Sequence, residues 1–259
     1  MKIKRFYEDL KPFLHPNRAL VIFGPRRVGK TTLLNDFLSI TNLKSKLDSG
    51  DNIKTQHILG SQDFDQIREY AAGYELVAID EAQRIPNVGL GLKILVDQIP
   101  GIRVIATGSS SFELSGQIGE PLTGRKTTLT LYPIAELELA SHYNRAELQQ
   151  QLSERLVYGA YPEIITASSQ TEKARILEEL VHSYLLKDIL ELERVKGSKI
   201  LLDLLRLIAY QVGSEVSLSE LGSKIGADTK TVARYLDLFE KSFVILNLRG
   251  FSRNLRKEV

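Results

Sequence analysis

Cysteine and tryptophan are absent from the 259 residues, and methionine occurs once. The missing cysteine excludes disulfides, cysteine-ligated zinc, iron–sulfur clusters and thiol catalysis, and it fits a reducing, cytoplasmic setting. Long apolar runs are also lacking. None approaches the roughly 18–20 residues needed to span a bilayer, and the opening Met1-Lys2-Ile3-Lys4-Arg5-Phe6 has no signal-peptide core, so no membrane or export role is expected. Nor is there an excess of charge of one sign. Thirty-four basic and 32 acidic residues give +2, which argues against a general polyanion binder while leaving room for a local basic cluster. The four histidines (His15, His57, His142, His182) are scattered, without the paired spacing of a metal site. What is present is 43% hydrophobic and 25% charged residues, the composition of a folded globular chain. The length suits one α/β domain of about 150–200 residues and a smaller second unit.

Ile3, Phe6, Leu10, Phe13 and Leu14 recur at helical spacing, so residues 3–14 are expected to form an amphipathic helix. Ala19–Phe23 is a continuous apolar run suited to a buried parallel strand, and Gly24 ends it before a helix over Thr31–Leu38. Further strands are expected at His57–Leu59 (weak), Glu75–Asp80, Ile102–Thr107 and Lys126–Tyr132, the last alternating as an edge strand does. The alternation predicts an α/β fold, a parallel sheet with helices on both faces, over residues 1–133. Beyond Pro133, residues 134–196 read as a helical lid or connector, interrupted at Tyr158-Gly159-Ala160-Tyr161-Pro162-Glu163, where a structural turn is expected. Residues 197–259 read as a helix, a helix-turn-helix whose second helix is capped by Asp228, and a strand at Phe243–Leu246, together a winged helix-turn-helix. The chain stops just after the basic Arg249, Arg253, Arg256 and Lys257, as a truncated longer protein would.

Gly24-Pro25-Arg26-Arg27-Val28-Gly29-Lys30-Thr31 satisfies G-x-x-x-x-G-K-[ST] between a predicted strand and a predicted helix, the setting its chemistry requires. The glycines let the backbone of residues 24–29 curl its N–H groups toward phosphates. Lys30 supplies a point charge at the β and γ positions, Thr31 ligates magnesium, and the helix N-terminus running through Thr32 adds favourable potential. Leu76-Val77-Ala78-Ile79-Asp80-Glu81 is an apolar strand ending in two acids, the Walker B arrangement. Asp80 is expected to hold magnesium through its water shell and Glu81 to orient and polarise the attacking water. The stretch between Lys30 and Asp80 is long enough for a helix, a second strand and another crossover before the Asp80 strand returns beside the first. Hydroxyls at Thr107 and Ser109 to Ser111 stand at the carboxyl end of the next strand. There Thr107 or Ser109 meets the γ-phosphate or its water, or the serines cap a helix. Arg125 is either a surface arginine or a finger that serves the next subunit of a homo-oligomer in trans.

Taken with Asp-Glu-Ala-Gln at 80–83, Thr-Gly-Ser-Ser-Ser at 107–111, Leu-Thr-Gly-Arg at 122–125 and Tyr-Pro-Glu at 161–163, the loop resembles that of the AAA+ ATPases. The resemblance is in particular to the uncharacterised bacterial and archaeal ATP-binding proteins that join such a core to a winged-helix and nuclease-like carboxyl region. It implies ATP with Mg2+, a sensor carried by Thr107 or Ser109, and an arginine finger at Arg125. A guanine reader of the Asn-Lys-x-Asp type is missing, as is the Ser-Ala-Thr motif of helicases. The expected function is hydrolysis of ATP to ADP and phosphate, coupled through the carboxyl-terminal unit to a partner. The competing reading is an ATP-gated DNA-binding or scaffold module with little hydrolysis. Lys224, Lys230 and Arg234 could meet DNA phosphates, but Asp228, Asp237 and Glu240 dilute that charge.

Overall fold

The structure is a computed structural model that describes residues 3–109, 118, 121–181 and 198–248. Ser110 and Ser111, His182, the end of the predicted connector and the basic stretch Arg249–Lys257 lie outside these residues. The chain separates into two compact units, residues 1–184 and 185–259.

In the first unit, strands β1 (Arg18–Phe23), β2 (Ser45–Ser49), β3 (Leu76–Asp80), β4 (Arg103–Gly108) and β5 (Lys126–Thr130) form one parallel sheet. Their order is β2-β3-β4-β1-β5. Alternate residues of the inner strands supply two cores. Ala19, Val21, Phe23, Val77, Ile79, Val104 and Ala106 pack on one face with helices α2 (Ile53–Gly60), α3 (Phe64–Ala71) and α4 (Val88–Gln98). Leu20, Ile22, Leu76, Ala78 and Ile105 pack on the other with α1 (Lys30–Ile40) and Leu10. Burial on both faces is why these strands read as unbroken apolar runs, and each buried aliphatic side chain contributes about 1.5–3 kcal/mol.

Three expectations fail here for identifiable reasons. Residues 3–10 form no helix, and only Lys11–Phe13 makes a 3₁₀ turn. The Phe6 N–H donates to Glu138 Oε1 at 2.6 Å, a long-range bond in place of a helical one, while Pro12 brings no N–H at all. His57–Leu59 is not a strand but part of α2, which starts where the Asn52 side chain accepts the Lys54 N–H at 2.9 Å. The second strand is instead Ser45–Ser49, a half-exposed edge whose Lys46 ammonium lies 3.5 Å from the centre of the Tyr70 ring. Finally, the Asp80 strand does not lie beside β1, because β4 is inserted between them, pairing Ile22 with Thr107 on one side and Ile79 with Ala106 on the other.

After β5, which is the opposite edge as expected, short helices α5 (Glu136–Leu139), α6 (Arg145–Gln150), α7 (Leu152–Tyr158), α8 (Pro162–Thr166) and α9 (Gln170–Leu180) complete the unit. Tyr161-Pro162-Glu163 is therefore the start of a helix rather than only a turn, with the proline in the first helical turn, where its missing N–H costs nothing.

The second unit holds α10 (Ser198–Ala209), α11 (Leu218–Ile225) and α12 (Thr229–Lys241) around Leu201, Leu204, Leu221, Val232, Tyr235, Leu238 and Phe239. Gly226 closes α11 in the left-handed conformation, and Asp228 caps α12 by accepting the Thr231 N–H at 2.9 Å. Phe243–Leu246 is not a strand. The N–H groups of Val244 and Ile245 both turn back to the Phe239 carbonyl at 2.8 and 3.5 Å, so that backbone closes the helix instead of pairing in a sheet.

Candidate functional site

The site lies where β1, β3 and β4 end. Gly24 follows β1 so tightly against β5 that a Cβ there would stand 2.1 Å from the Leu131 carbonyl oxygen. Gly29 caps α1 with φ of 94°, a conformation that glycine adopts at little cost. Between them the chain curls over Lys30, whose side chain is buried and whose Nζ donates to the carbonyls of Gly24 (2.9 Å) and Pro25 (2.8 Å). The first N–H groups of α1 have no partner within the helix and, with the helix dipole, make this end attractive to anions.

The inserted strand β4 brings three predicted residues together. Thr31 Oγ1 donates to Asp80 Oδ2 at 2.8 Å, and the Thr107 hydroxyl donates to the other oxygen, Oδ1. Thr107 Oγ1 also accepts the Glu81 N–H at 3.2 Å, so one fully buried threonine ties together the positions of both acids. Ser109, also buried, stands two residues farther along as β4 ends. Glu81 has left-handed backbone angles (φ 50°, ψ 41°), an uncommon conformation for this residue type, and its carboxylate accepts from Gln83 Nε2. Gly50 packs against it so closely that a Cβ would be 2.2 Å from the Glu81 carbonyl oxygen, and the Gly50 N–H donates to the Asp80 carbonyl at 2.7 Å. Among the described residues no group of three or more His, Cys, Asp or Glu is gathered as a metal cage.

Beside this cluster a cleft of about 830 Å³ runs along α1. Gly29 and Thr32 line it from the loop, Arg5 from the leading segment, and Ile134, His142 and Pro162 from the helical part, whereas Lys30, Thr31 and Asp80 do not. Arg5 acts as a strut. Its guanidinium donates to the Val28 and Tyr132 carbonyls, both at 2.6 Å, and to Glu138 Oε1 at 3.0 Å, while Glu138 Oε2 accepts the Ala135 N–H at 2.8 Å. Arg27 is paired with the helical segment, at 3.3 Å from Glu163 Oε2 and 2.5 Å from Glu179 Oε1. Burial pushes the Tyr161 phenol upward, so this ring beside Pro162 stays neutral. None of these partners is adjacent in sequence. Arg5 and Glu138 are 133 residues apart, and no local pattern announces the pair.

Other expected residues lie elsewhere. Arg125 is at the amino-terminal edge of the sheet, the end away from the loop, where its carbonyl accepts the Ala19 N–H at 2.9 Å and its Nε lies 2.8 Å from Asp97 Oδ1. In the second unit Lys224 is paired with Glu220 at 2.6 Å, Lys230 is exposed, and Arg234 lies over the Tyr235 ring. No helix among the described residues is long and apolar enough to cross a membrane.

Comparison with known proteins agrees with this geometry. Residues 16–140 match a family model described as an AAA domain, and residues 149–259 match a domain of unknown function. An uncharacterized protein of Haemophilus influenzae is 26% identical over 96% of this chain and 66% of its own length. One of Methanocaldococcus jannaschii is 25% identical over 97% of this chain and 61% of its own. The chain thus spans somewhat under two thirds of these curated relatives. A crystal structure of a signal transduction ATPase with a tetratricopeptide repeat sensor, from Pyrococcus horikoshii, covers 88% of this chain and 37% of that one, with 13% identity and a TM-score of 0.41. The glycine loop, the five-stranded parallel sheet and the matched model converge on one statement: over residues 16–140 the chain is similar to an AAA domain.

Proposed function

We propose that the chain binds ATP with Mg2+ at the carboxyl edge of the sheet and hydrolyses it to ADP and phosphate. The observation that carries the reading is the 2.8 Å contact between Thr31 Oγ1 and Asp80 Oδ2 at the mouth of a phosphate loop whose lysine is buried. A hydroxyl and a carboxylate in contact suit an ion that takes oxygen ligands and completes its octahedron with phosphate oxygens and water. Thr31 and Asp80 would hold it, and when bound it offsets negative charge on the β- and γ-phosphates. Lys30 exchanges its two carbonyl partners for phosphate oxygens, and the backbone N–H groups of residues 24–32 face the phosphate chain. The cleft lined by Arg5, Thr32 and Pro162 receives the nucleoside.

Glu81 takes a proton from the attacking water as the water oxygen bonds to the γ-phosphorus. The bond from that phosphorus to the bridging oxygen breaks, and ADP leaves with the oxygen. Thr107 keeps Asp80 and Glu81 in register, with Ser109 beside it. Arg125, facing away from its own loop, acts in trans on a neighbouring copy, and residues 198–248 carry the nucleotide state to a partner. The test is phosphate release by the purified chain, with Lys30→Ala as blank and EDTA as a second blank. Magnesium-dependent release above both blanks is expected, and ATP binding with release no higher than the blanks would favour an ATP-gated module.

A further inference from the structure

Gln83 closes the Asp80-Glu81-Ala82-Gln83 motif, and the reaction described above does not use it. It lies in a 3₁₀ turn, Ala82–Arg84, that is anchored by fully buried Ala82. The turn folds the Gln83 side chain back onto the residue two places earlier, where Nε2 donates to Glu81 Oε2. Only the N–H end of an amide can favourably face a carboxylate, so the carbonyl Oε1 points elsewhere. There it is closed off from solvent and has no hydrogen-bond donor among the described residues. A buried acceptor without a donor is destabilising and uncommon in folded chains. Methionine would fill similar space without that penalty. Packing therefore does not explain an amide at this position, whereas a charge-assisted bond to Glu81 does.

The backbone of Glu81 is fixed with equal care. Its N–H donates to Thr107 Oγ1 at 3.2 Å, its carbonyl accepts the Arg84 N–H at 3.0 Å, and Gly50 abuts that carbonyl. With the main chain pinned, the remaining freedom lies in the side-chain torsions, which the Gln83 bond restricts. Oε2 is occupied by the amide, and Oε1 is left to take the proton from water.

We infer that Gln83 is a positioning residue for Glu81, setting the orientation in which the general-base carboxylate meets the attacking water. The inference rests on the hydrolase reading above. Gln83→Met tests it, measured beside wild type, Lys30→Ala, Glu81→Gln and the double variant Gln83→Met/Glu81→Gln, with turnover, ATP affinity and melting temperature recorded for each. The expected result is a loss of about tenfold or more in kcat, with KM and ATP affinity within about twofold and a melting temperature at or above wild type. The double variant should be no slower than Glu81→Gln alone, because the two act as one unit. If methionine fits poorly, Gln83→Leu supplies the same comparison. A kcat within twofold of wild type, a fall in kcat matched by a fall in melting temperature in both variants, or fully additive losses in the double variant would overturn the role of Gln83 alone. Wild-type turnover no higher than Lys30→Ala would overturn the hydrolase reading and this inference with it, whereas turnover that survives Glu81→Gln would overturn the base role of Glu81 and therefore this inference while leaving hydrolysis standing.

Discussion

The two ends of the same parallel sheet are built from different chemistry. At the carboxyl end, the start of α1 and the ends of β3 and β4 bring Thr31, Asp80 and Thr107 into one bonded cluster, with strained Glu81 at its rim and Lys30 held to the Gly24 and Pro25 carbonyls. At the amino end, polar groups join neighbouring elements. Asn17 donates to the Val96 and Ile99 carbonyls at 2.9 and 3.0 Å and accepts the Gly101 N–H at 3.0 Å, while Arg125 is paired with Asp97. In a parallel sheet every strand leaves in the same direction, so loops that carry function collect at one edge and closing contacts at the other. Within one copy, substitutions at the carboxyl edge should therefore change chemistry more than stability, and those at the amino edge the reverse, with Arg125 acting only between copies.

The largest effect is expected from Lys30→Ala. Removing the charge expected at the β- and γ-phosphates should lower turnover by about 10²-fold or more and weaken ATP binding, read by calorimetry and phosphate release, while the far-ultraviolet dichroism stays that of the folded chain. Gly50→Ala comes next. A Cβ at 2.2 Å from the Glu81 carbonyl must displace that backbone, and a shift of this kind costs about 10²-fold in rate, with ATP affinity nearly unchanged. Asn17→Ala should do the opposite, costing about 1–2 kcal/mol of stability in denaturant melts with turnover at saturating ATP preserved. Arg125→Ala sharpens the contrast. Turnover per chain should match wild type in dilute solution and fall below it only at concentrations where wild-type turnover rises.

The smallest effect belongs to Asp228 in the second unit, where accepting the Thr231 N–H holds the carboxyl below its usual value of 3.8. A lowered folded value stabilises the unit above pH 3.8, and the contribution fades as pH falls through the folded value. Asp228→Asn, which keeps the cap without the charge, should therefore lower the melting temperature slightly at pH 7 and differ from wild type less as acid is added.

The phosphate loop and the acid pair were legible because their chemistry is local. Glycines, lysine and threonine must follow a strand in fixed order, and an apolar strand must precede the two acids. The inner strands were legible because burial on both faces leaves apolar runs. The edge strand β2 was not, since Ser45-Lys46-Leu47-Asp48-Ser49 faces solvent in part and reads as loop. The position of β4 between β1 and β3 was also hidden, because chain order does not fix strand order, and it is this insertion that places Thr107 against both acids. Arg5, Glu138 and the partners of Arg27 are brought together only by the tertiary fold. The leading segment misled because Ile3, Phe6, Leu10, Phe13 and Leu14 keep helical spacing while Leu10 and Leu14 pack against α1 from a chain whose helical bonding is confined to one 3₁₀ turn, Lys11–Phe13.

The most direct test of the central claim is a single-turnover measurement of phosphate release by Glu81→Gln beside wild type, with ATP affinity measured on the same samples. Unchanged affinity with release slowed by about 10²–10⁴-fold is the predicted result, since the variant keeps the phosphate cradle and loses the base. Release at the wild-type rate, or no release by wild type itself, would contradict the account.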